Sequence, residues 1–238
     1  MRILLFVLLS LSAFSQNFKS KQLKFERVAN AFDKTWPALK KQIEAKGLDS
    51  DRFRIFFRIY KKEKRFEVYI SPLEKEQFVL LKTYVIAASS GVLGPKRTEG
   101  DLQVPEGFYH INVFNPVSDF HLSLGVNYPN AADKIKGKKP LGGDIYIHGA
   151  EVTIGCIPLT NAKIEEVYVL AVQARANGQS KIYAHFYPFD FKTNKLSDFQ
   201  KNPNYNLWKS IESGSVKFEK TQKIPFVEIN QKGDYIVK

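Results

Sequence analysis

One cysteine and four histidines in 238 residues are a thin supply of metal-ligating and redox side chains. The single thiol, Cys156, can form no intramolecular disulfide and no cysteine-based zinc site. The histidines, His110, His121, His148 and His185, include no His-x-x-x-His or His-Glu pair, so a zinc hydrolase is not expected. No metal and no organic cofactor is called for. Acidic residues are also in deficit, 24 against 36 basic, for a net charge of +12. Internal repeats and low-complexity linkers are missing, which argues against a solenoid or a string of modules. Long apolar runs are missing after residue 11, so no membrane span is expected in the body of the chain.

The first residues are different. Met1-Arg2 precedes an apolar run over residues 3–11, and Ser12-Ala13-Phe14-Ser15 supplies a small-x-small ending. That order describes a secretory signal peptide over residues 1–15, with an apolar run too short to cross a bilayer. No cysteine follows the run, so a lipid anchor is not expected. The body is then an exported protein of the periplasm or cell wall. A basic exported surface draws anionic wall polymers. The basic clusters (Lys61-Lys62, Lys64-Arg65, Lys136 to Lys139) lack interleaved stacking aromatics and read as solvated turns, so nucleic acid is not expected as a partner.

With 44% apolar residues, the roughly 220 residues after the leader can build one large domain with a small appendage. Phe25, Val28, Ala29, Phe32, Trp36, Leu39 and Ile43 recur at helical spacing, with Pro37 expected to kink the run or restart it after Thr35 and Gly47 to end it. From residue 53 the period becomes two: Phe53, Ile55, Phe57 and Ile59 alternate with Arg52, Arg54, Phe56 and Arg58, as in a half-buried strand. Residues 65–70 return as its hairpin partner, and residues 77–88 read as a third, more buried strand. Residues 108–114, 122–126, 144–148 and 181–186 add further strands. One main helix, capped by Thr160 or Asn161 and stopped at Gly178, follows Cys156. Residues 207–211 look helical, and residues 226–229 and 235–237 suggest a closing hairpin around Gly233. The organisation expected is a signal peptide at 1–15, an N-terminal helical segment at 16–50, a mainly β catalytic domain at 51–190 and a C-terminal extension at 191–238 packed on it.

The cysteine lies in Asp144-Ile-Tyr-Ile-His148-Gly149-Ala-Glu-Val-Thr-Ile-Gly155-Cys156-Ile-Pro158, a strand running into a glycine-bounded loop. An imidazole stands at one end of the loop and a thiol at the other. A thiol attacks as thiolate, and a neighbouring imidazole is the usual means of generating it near neutral pH. The same residues also describe a small buried hydrophobe beside a strand-end histidine. An unpaired cysteine kept in an oxidising compartment favours the reagent. His110, His121 and His185, on or near strands and among aromatics, read as packed or surface residues.

The segment from Gly94 to Ile111, with Pro105-Glu106-Gly107-Phe108-Tyr109-His110-Ile111 at its end, is followed in order by Tyr128-Pro129-Asn130, Asp133, His148-Gly149 and Gly155-Cys156. This ordered set resembles the L,D-transpeptidase (YkuD-like) catalytic domain, in its YafK-like branch, over roughly residues 54–189. The resemblance implies an α+β, mainly β fold: a β-sandwich catalytic domain with flanking helices. It implies an acyltransferase acting on peptidoglycan stem peptides, with Cys156 as nucleophile and His148 as base. The wider family carries Ser-His-Gly-Cys-x-Arg where this chain reads Thr153-Ile154-Gly155-Cys156-Ile157-Pro158, so its arginine has no counterpart at Pro158. Backbone around Gly155, with Gly149, is the candidate oxyanion site, because glycine permits close approach. Tyr109, Tyr128 and Asn130 are candidate groove residues, although an aromatic followed by Pro-Asn is also ordinary turn chemistry. Two alternatives stay open: a hydrolase of the same chemistry that releases a wall-attached peptide or protein, and a catalytically silent wall-binding protein.

Overall fold

Phe-Arg-Ile-Phe-Phe-Arg-Ile-Tyr at residues 53–60 is rich in the aromatic and β-branched types that suit a pleated surface, and it becomes a central strand. The computed structural model describes residues 17–238, so the expected signal peptide lies outside the described residues. Strands β1 (Phe53–Tyr60), β2 (Arg65–Pro72), β3 (Val79–Val85), β4 (Gly107–Asn115), β5 (Ser123–Val126), β6 (Tyr146–His148), β7 (Ile157–Pro158) and β8 (Ile182–Tyr187) form one sheet. Its order is β3-β2-β1-β8-β4-β5-β6-β7. All neighbours are antiparallel except β1–β8 and β6–β7, which are parallel.

Helices α1 (Glu26–Glu44) and α3 (Thr160–Ala176) cover one face, burying Val28, Phe32, Leu39 and Ile43 with Ile164, Val167 and Tyr168 against Ile55, Phe57, Tyr109, Leu124 and Ile147. Helix α1 runs through Pro37 without restarting. Pro37 is exposed, so the carbonyl left without its helical donor faces water. Helix α3 is not capped by Thr160 or Asn161; its N-cap is Leu159, and the Asn161 side chain accepts from Ala150 N–H instead.

The opposite face is covered only in part, by helix α4 (Tyr205–Thr221) and the hairpin β9 (Val227–Ile229) with β10 (Tyr235–Val237). Helix α4 extends well past the residues 207–211 read as helical, through Ser213-Gly214-Ser215. Gly214 is needed there because a Cβ would stand 2.6 Å from the Phe108 ring. Strand β1 is therefore buried on both faces and not half-buried: Phe53, Ile55, Phe57 and Ile59 face α1 and α3, while Phe56, Arg58 and Tyr60 lie under α4 and the hairpin. Arg58 is 1% exposed. It pairs with Glu219, bonds Ser215 Oγ at 3.0 Å, and lies 4.7–5.6 Å from the ring centres of Tyr60, Tyr69, Tyr187 and Phe218. Charge, hydrogen bonds and ring faces offset the penalty of burying the guanidinium, although its Nε finds no hydrogen-bond partner. Strand β3, read as more buried, is an edge strand with Val79, Leu80 and Val85 exposed.

Beyond β8 the second face stays covered at β5 and β7, all of whose residues are buried. Alternation assigns Phe108 and His110 of β4, Gly125 of β5, and Tyr146 and His148 of β6 to it, because Tyr109, Ile111, Leu124, Val126 and Ile147 belong to the core on the other side.

Candidate active site

Strand β6 ends at His148, and the chain returns through residues 149–156 to β7, parallel to β6, before entering α3. The register pairs Ile147 with Ile157 and His148 with Pro158. One residue earlier, Cys156 falls beside Tyr146, whose N–H points to Cys156 Sγ at 3.4 Å. Cys156 lies in the loop one residue before β7, and His148 closes β6 two residues beyond Tyr146. Strand geometry places their Cα atoms about 8 Å apart.

Each group is held. His148 is 3% exposed and its Nδ1 lies 2.5 Å from the Gly149 carbonyl oxygen. A carbonyl only accepts, so Nδ1 carries the proton and Nε2 is left as the acceptor. The Phe120 ring lies 4.7 Å from the imidazole centre. Gly149 donates its N–H to Phe120 O at 3.0 Å, and a Cβ on it would meet that oxygen and Asn161 Oδ1 at 2.6 Å, so only glycine fits. The loop carrying Phe120 is in turn clamped by Arg27 of α1, which donates to Ser118 O at 2.8 Å and to His121 O. His121 Nε2 meets Glu165 of α3 at 2.9 Å.

Around the thiol, Gly155 has φ +134°, and a Cβ on it would come within 3.2 Å of Gln103 O. The Thr153 hydroxyl organises the turn: it accepts from Cys156 N–H at 2.8 Å and Gly155 N–H at 3.2 Å and donates to Cys156 O at 2.8 Å. The two N–H groups read as oxyanion donors therefore meet a side-chain oxygen here. Gly149 N–H is committed to the Phe120 loop. Cys156 Sγ also lies 3.4 Å from Asp144 O. Burial pushes the Cys156 thiol up; the Tyr146 N–H and, more weakly, Lys96 oppose it, while Asp144 adds to it. Burial also pushes His148 below its ordinary value, against the Gly149 carbonyl. Both shifts favour the neutral forms of the two groups.

Tyr109, Tyr128 and Asn130 are gathered elsewhere on the same half of the sheet. Asn130 caps the short helix α2 (Ala131–Lys136) in a reciprocal capping box with Asp133. The buried Tyr109 hydroxyl donates to Asp133 Oδ2 at 2.9 Å, and Tyr128 donates to Leu141 O at 3.2 Å. Burial raises Asp133 to about 6. His185 is packed between the Phe56 and Phe108 rings, 4.6 and 4.7 Å away. Thr153 and Arg27 were not singled out from sequence. A hydroxyl three residues before a cysteine in a tight loop is a usable signal for Thr153. Arg27 reaches its loop across more than 90 residues and leaves no local trace. Among the described residues no cluster of three or more His, Cys, Asp or Glu could hold a metal ion, and no helix is long and apolar enough to cross a membrane.

The family model of the YkuD-type L,D-transpeptidase catalytic domain matches residues 56–176, a span that contains β6, the loop and β7. The Escherichia coli K12 protein named "Putative L,D-transpeptidase YafK" is 34% identical over 190 residues, covering 77% of this chain and 73% of its own length; the O157:H7 protein of that name gives the same figures. Among solved structures, the helical cell shape determining protein Pgp2 of Campylobacter jejuni is 22% identical with a TM-score of 0.46, over 76% of this chain and 74% of that one. Bd1075 of Bdellovibrio bacteriovorus is 16% identical with a TM-score of 0.42, over 77% and 79%. The chain belongs to the L,D-transpeptidase (YkuD) catalytic-domain family and carries its fold.

Proposed function

We propose that this protein is an exported cysteine acyltransferase of the L,D-transpeptidase type, acting on peptidoglycan stem peptides in the periplasm or cell wall. The observation that carries the reading is the pairing of β6 with β7, which brings the loop end that holds the single thiol, Cys156, beside the strand that ends in an imidazole whose Nδ1 is fixed by the Gly149 carbonyl. His148 Nε2 takes the thiol proton as Cys156 Sγ attacks an amide carbonyl of the stem peptide, in which the scissile bond adjoins a D-centre. The carbonyl oxygen gains the negative charge, and Gly155 and Cys156 N–H groups stabilise it as they exchange the Thr153 hydroxyl for the oxyanion. The C–N bond then breaks and His148 gives its proton to the departing amine. A thioester on Cys156 remains. A second amine attacking that thioester, with its proton passed to His148, restores the thiol and completes transpeptidation. Water in place of the amine gives hydrolysis, of a peptide or of a wall-attached protein.

Incubation of purified muropeptides with the wild-type protein and with Cys156→Ala, followed by mass analysis of the products, tests this. New cross-links or shortened stems with wild type alone support the acyl-enzyme route, and the product class identifies the acceptor. Equal turnover by Cys156→Ala would end it.

A further inference from the structure

The segment that backs the thiol loop is stapled from behind by a buried ion pair that the proposed reaction does not use. Gln103 O is the nearest heavy atom to a Cβ built on Gly155, 3.2 Å away, so this carbonyl limits how far Gly155 and Cys156 can shift toward it. Gln103 is itself held. Its N–H donates to Asp101 Oδ1 at 3.1 Å, and its side-chain oxygen accepts from Val92 N–H at 3.1 Å. The Asp101 carboxylate also accepts from Arg97 N–H, Thr98 N–H and Lys96 Nζ, which closes residues 96–103 into one compact loop.

The two roots of that loop, Gly94 and Val104, meet at one ammonium. Lys61, just past β1, donates to Gly94 O at 2.6 Å, to Val104 O at 2.9 Å and to Glu106 Oε1 at 2.9 Å. Those three acceptors use all three protons of the ammonium. Glu106 Oε1 also takes the Gly94 N–H at 2.8 Å, and Oε2 takes the indole N–H of Trp208 at 2.7 Å. Glu106 and Trp208 are buried, and Trp208 belongs to α4, 102 residues further along the chain. Its ring packs on Phe189 and Phe199, with centres 5.4 and 5.5 Å away. Asn204, the N-cap of α4, closes on the same root: a Cβ on Gly94 would stand 2.9 Å from its Nδ2. A buried ion pair adds little net stability over apolar residues of similar volume, because desolvation offsets the attraction. What this one supplies is a single geometry for both roots of the loop, one residue from the Gln103 carbonyl.

We infer that Glu106, with Lys61 and Trp208, is a positioning residue for the nucleophile: it fixes Gly94 and Val104, hence the Gln103 carbonyl, hence the Gly155–Cys156 backbone whose N–H groups receive the oxyanion. All three side chains are buried and act through the loop. The inference rests on the proposed acyl transfer and adds that α4, in the C-terminal extension, belongs to the machinery that aligns it.

The test follows adduct formation by a carbapenem over a concentration series, which separates the maximal acylation rate from the half-saturating concentration. Trp208→Phe keeps ring packing and removes the N–H. Lys61→Met with Glu106→Leu removes both charges together, and a triple variant combines all three changes. Val68→Ala, at a buried position of β2 away from the loop, supplies a loss of stability alone. Circular dichroism selects a temperature at which the compared proteins are folded. The maximal rate should fall about fivefold in Trp208→Phe and about tenfold in the pair variant, with half-saturation changed less than about threefold. Val68→Ala should keep the wild-type rate. The triple variant should be no slower than the pair variant, since the indole acts through Glu106. If the pair variant does not fold, Trp208→Phe decides, and a wild-type rate in it overturns the inference. Equal slowing in Val68→Ala, a further loss in the triple variant, or an effect confined to half-saturation also overturns it. Wild type acylated at Cys156 with every variant equally fast loses this inference and keeps the proposed function. Wild type that forms no adduct loses both.

Discussion

Thr153→Val isolates what one hydroxyl does for the nucleophile loop. Valine keeps the branched shape and removes an oxygen that serves three backbone groups, Gly155 N–H, Cys156 N–H and Cys156 O. Gly155 is buried and Cys156 half-buried, so water replaces the hydroxyl only in part. A net hydrogen bond contributes about 1 kcal/mol, and a buried donor left without an acceptor costs about 1–3 kcal/mol. Counting the 2.8 Å bonds fully and the 3.2 Å bond weakly, the loss should be about 2 kcal/mol. At a urea dependence of about 2 kcal/mol per molar, the unfolding midpoint falls by about 1 M. Thr153→Ser keeps the oxygen and should stay within about 0.5 kcal/mol of wild type. Urea denaturation followed by tryptophan fluorescence reads both. The rate of acylation of Cys156 should fall with the valine and recover with the serine. A valine protein with the wild-type midpoint and acylation rate would refute the role given to this hydroxyl.

Burial lowers His148 and raises Cys156, and the working base is neutral imidazole, so kcat/KM should rise with pH through a midpoint below 6.5 and then level off; a midpoint above 7 in the pH profile would contradict the neutral-pair description. Gly149→Ala should lower stability by about 1–3 kcal/mol and slow acylation, since its methyl enters the space of Phe120 O and Asn161 Oδ1; thermal melts and adduct formation measure it. Glu219→Ala should cost about 3 kcal/mol or more by stranding the buried Arg58 charge, whereas the double change Arg58→Met with Glu219→Met should cost less than the single one, by chemical denaturation. Arg27→Ala should slow acylation by loosening residues 118–121 while Cys156 remains open to small alkylating agents, as paired kinetic assays would show.

Local pattern carried much of this fold. The strand–loop–helix unit around Cys156, the β1–β2 hairpin and the closing hairpin around Gly233 are all set by neighbouring residues, and their elements stand close to where periodicity and turn residues place them. What the sequence concealed depends on distant partners. Arg52, Arg54 and Arg58 made β1 look solvent-facing on one side, and only α4, some 150 residues later, explains how Arg58 is buried. Gly214 reads as a helix breaker until Phe108 is seen beneath it. The apolar residues of β3 suggested depth, but β3 has a strand on one side only. At the site, the loop could be read from its own residues. The clamp from Arg27 and the contact of Gln103 with Gly155 bring together segments far apart in the chain, and no spacing rule joins them.

The central claim is that His148 and Cys156 form an activated acyl-accepting pair, and intact-mass analysis with a carbapenem tests it most directly. The account predicts one covalent adduct on wild type, none on Cys156→Ala, and a much slower one on His148→Ala. No adduct on wild type, or one that persists in Cys156→Ala, would contradict it.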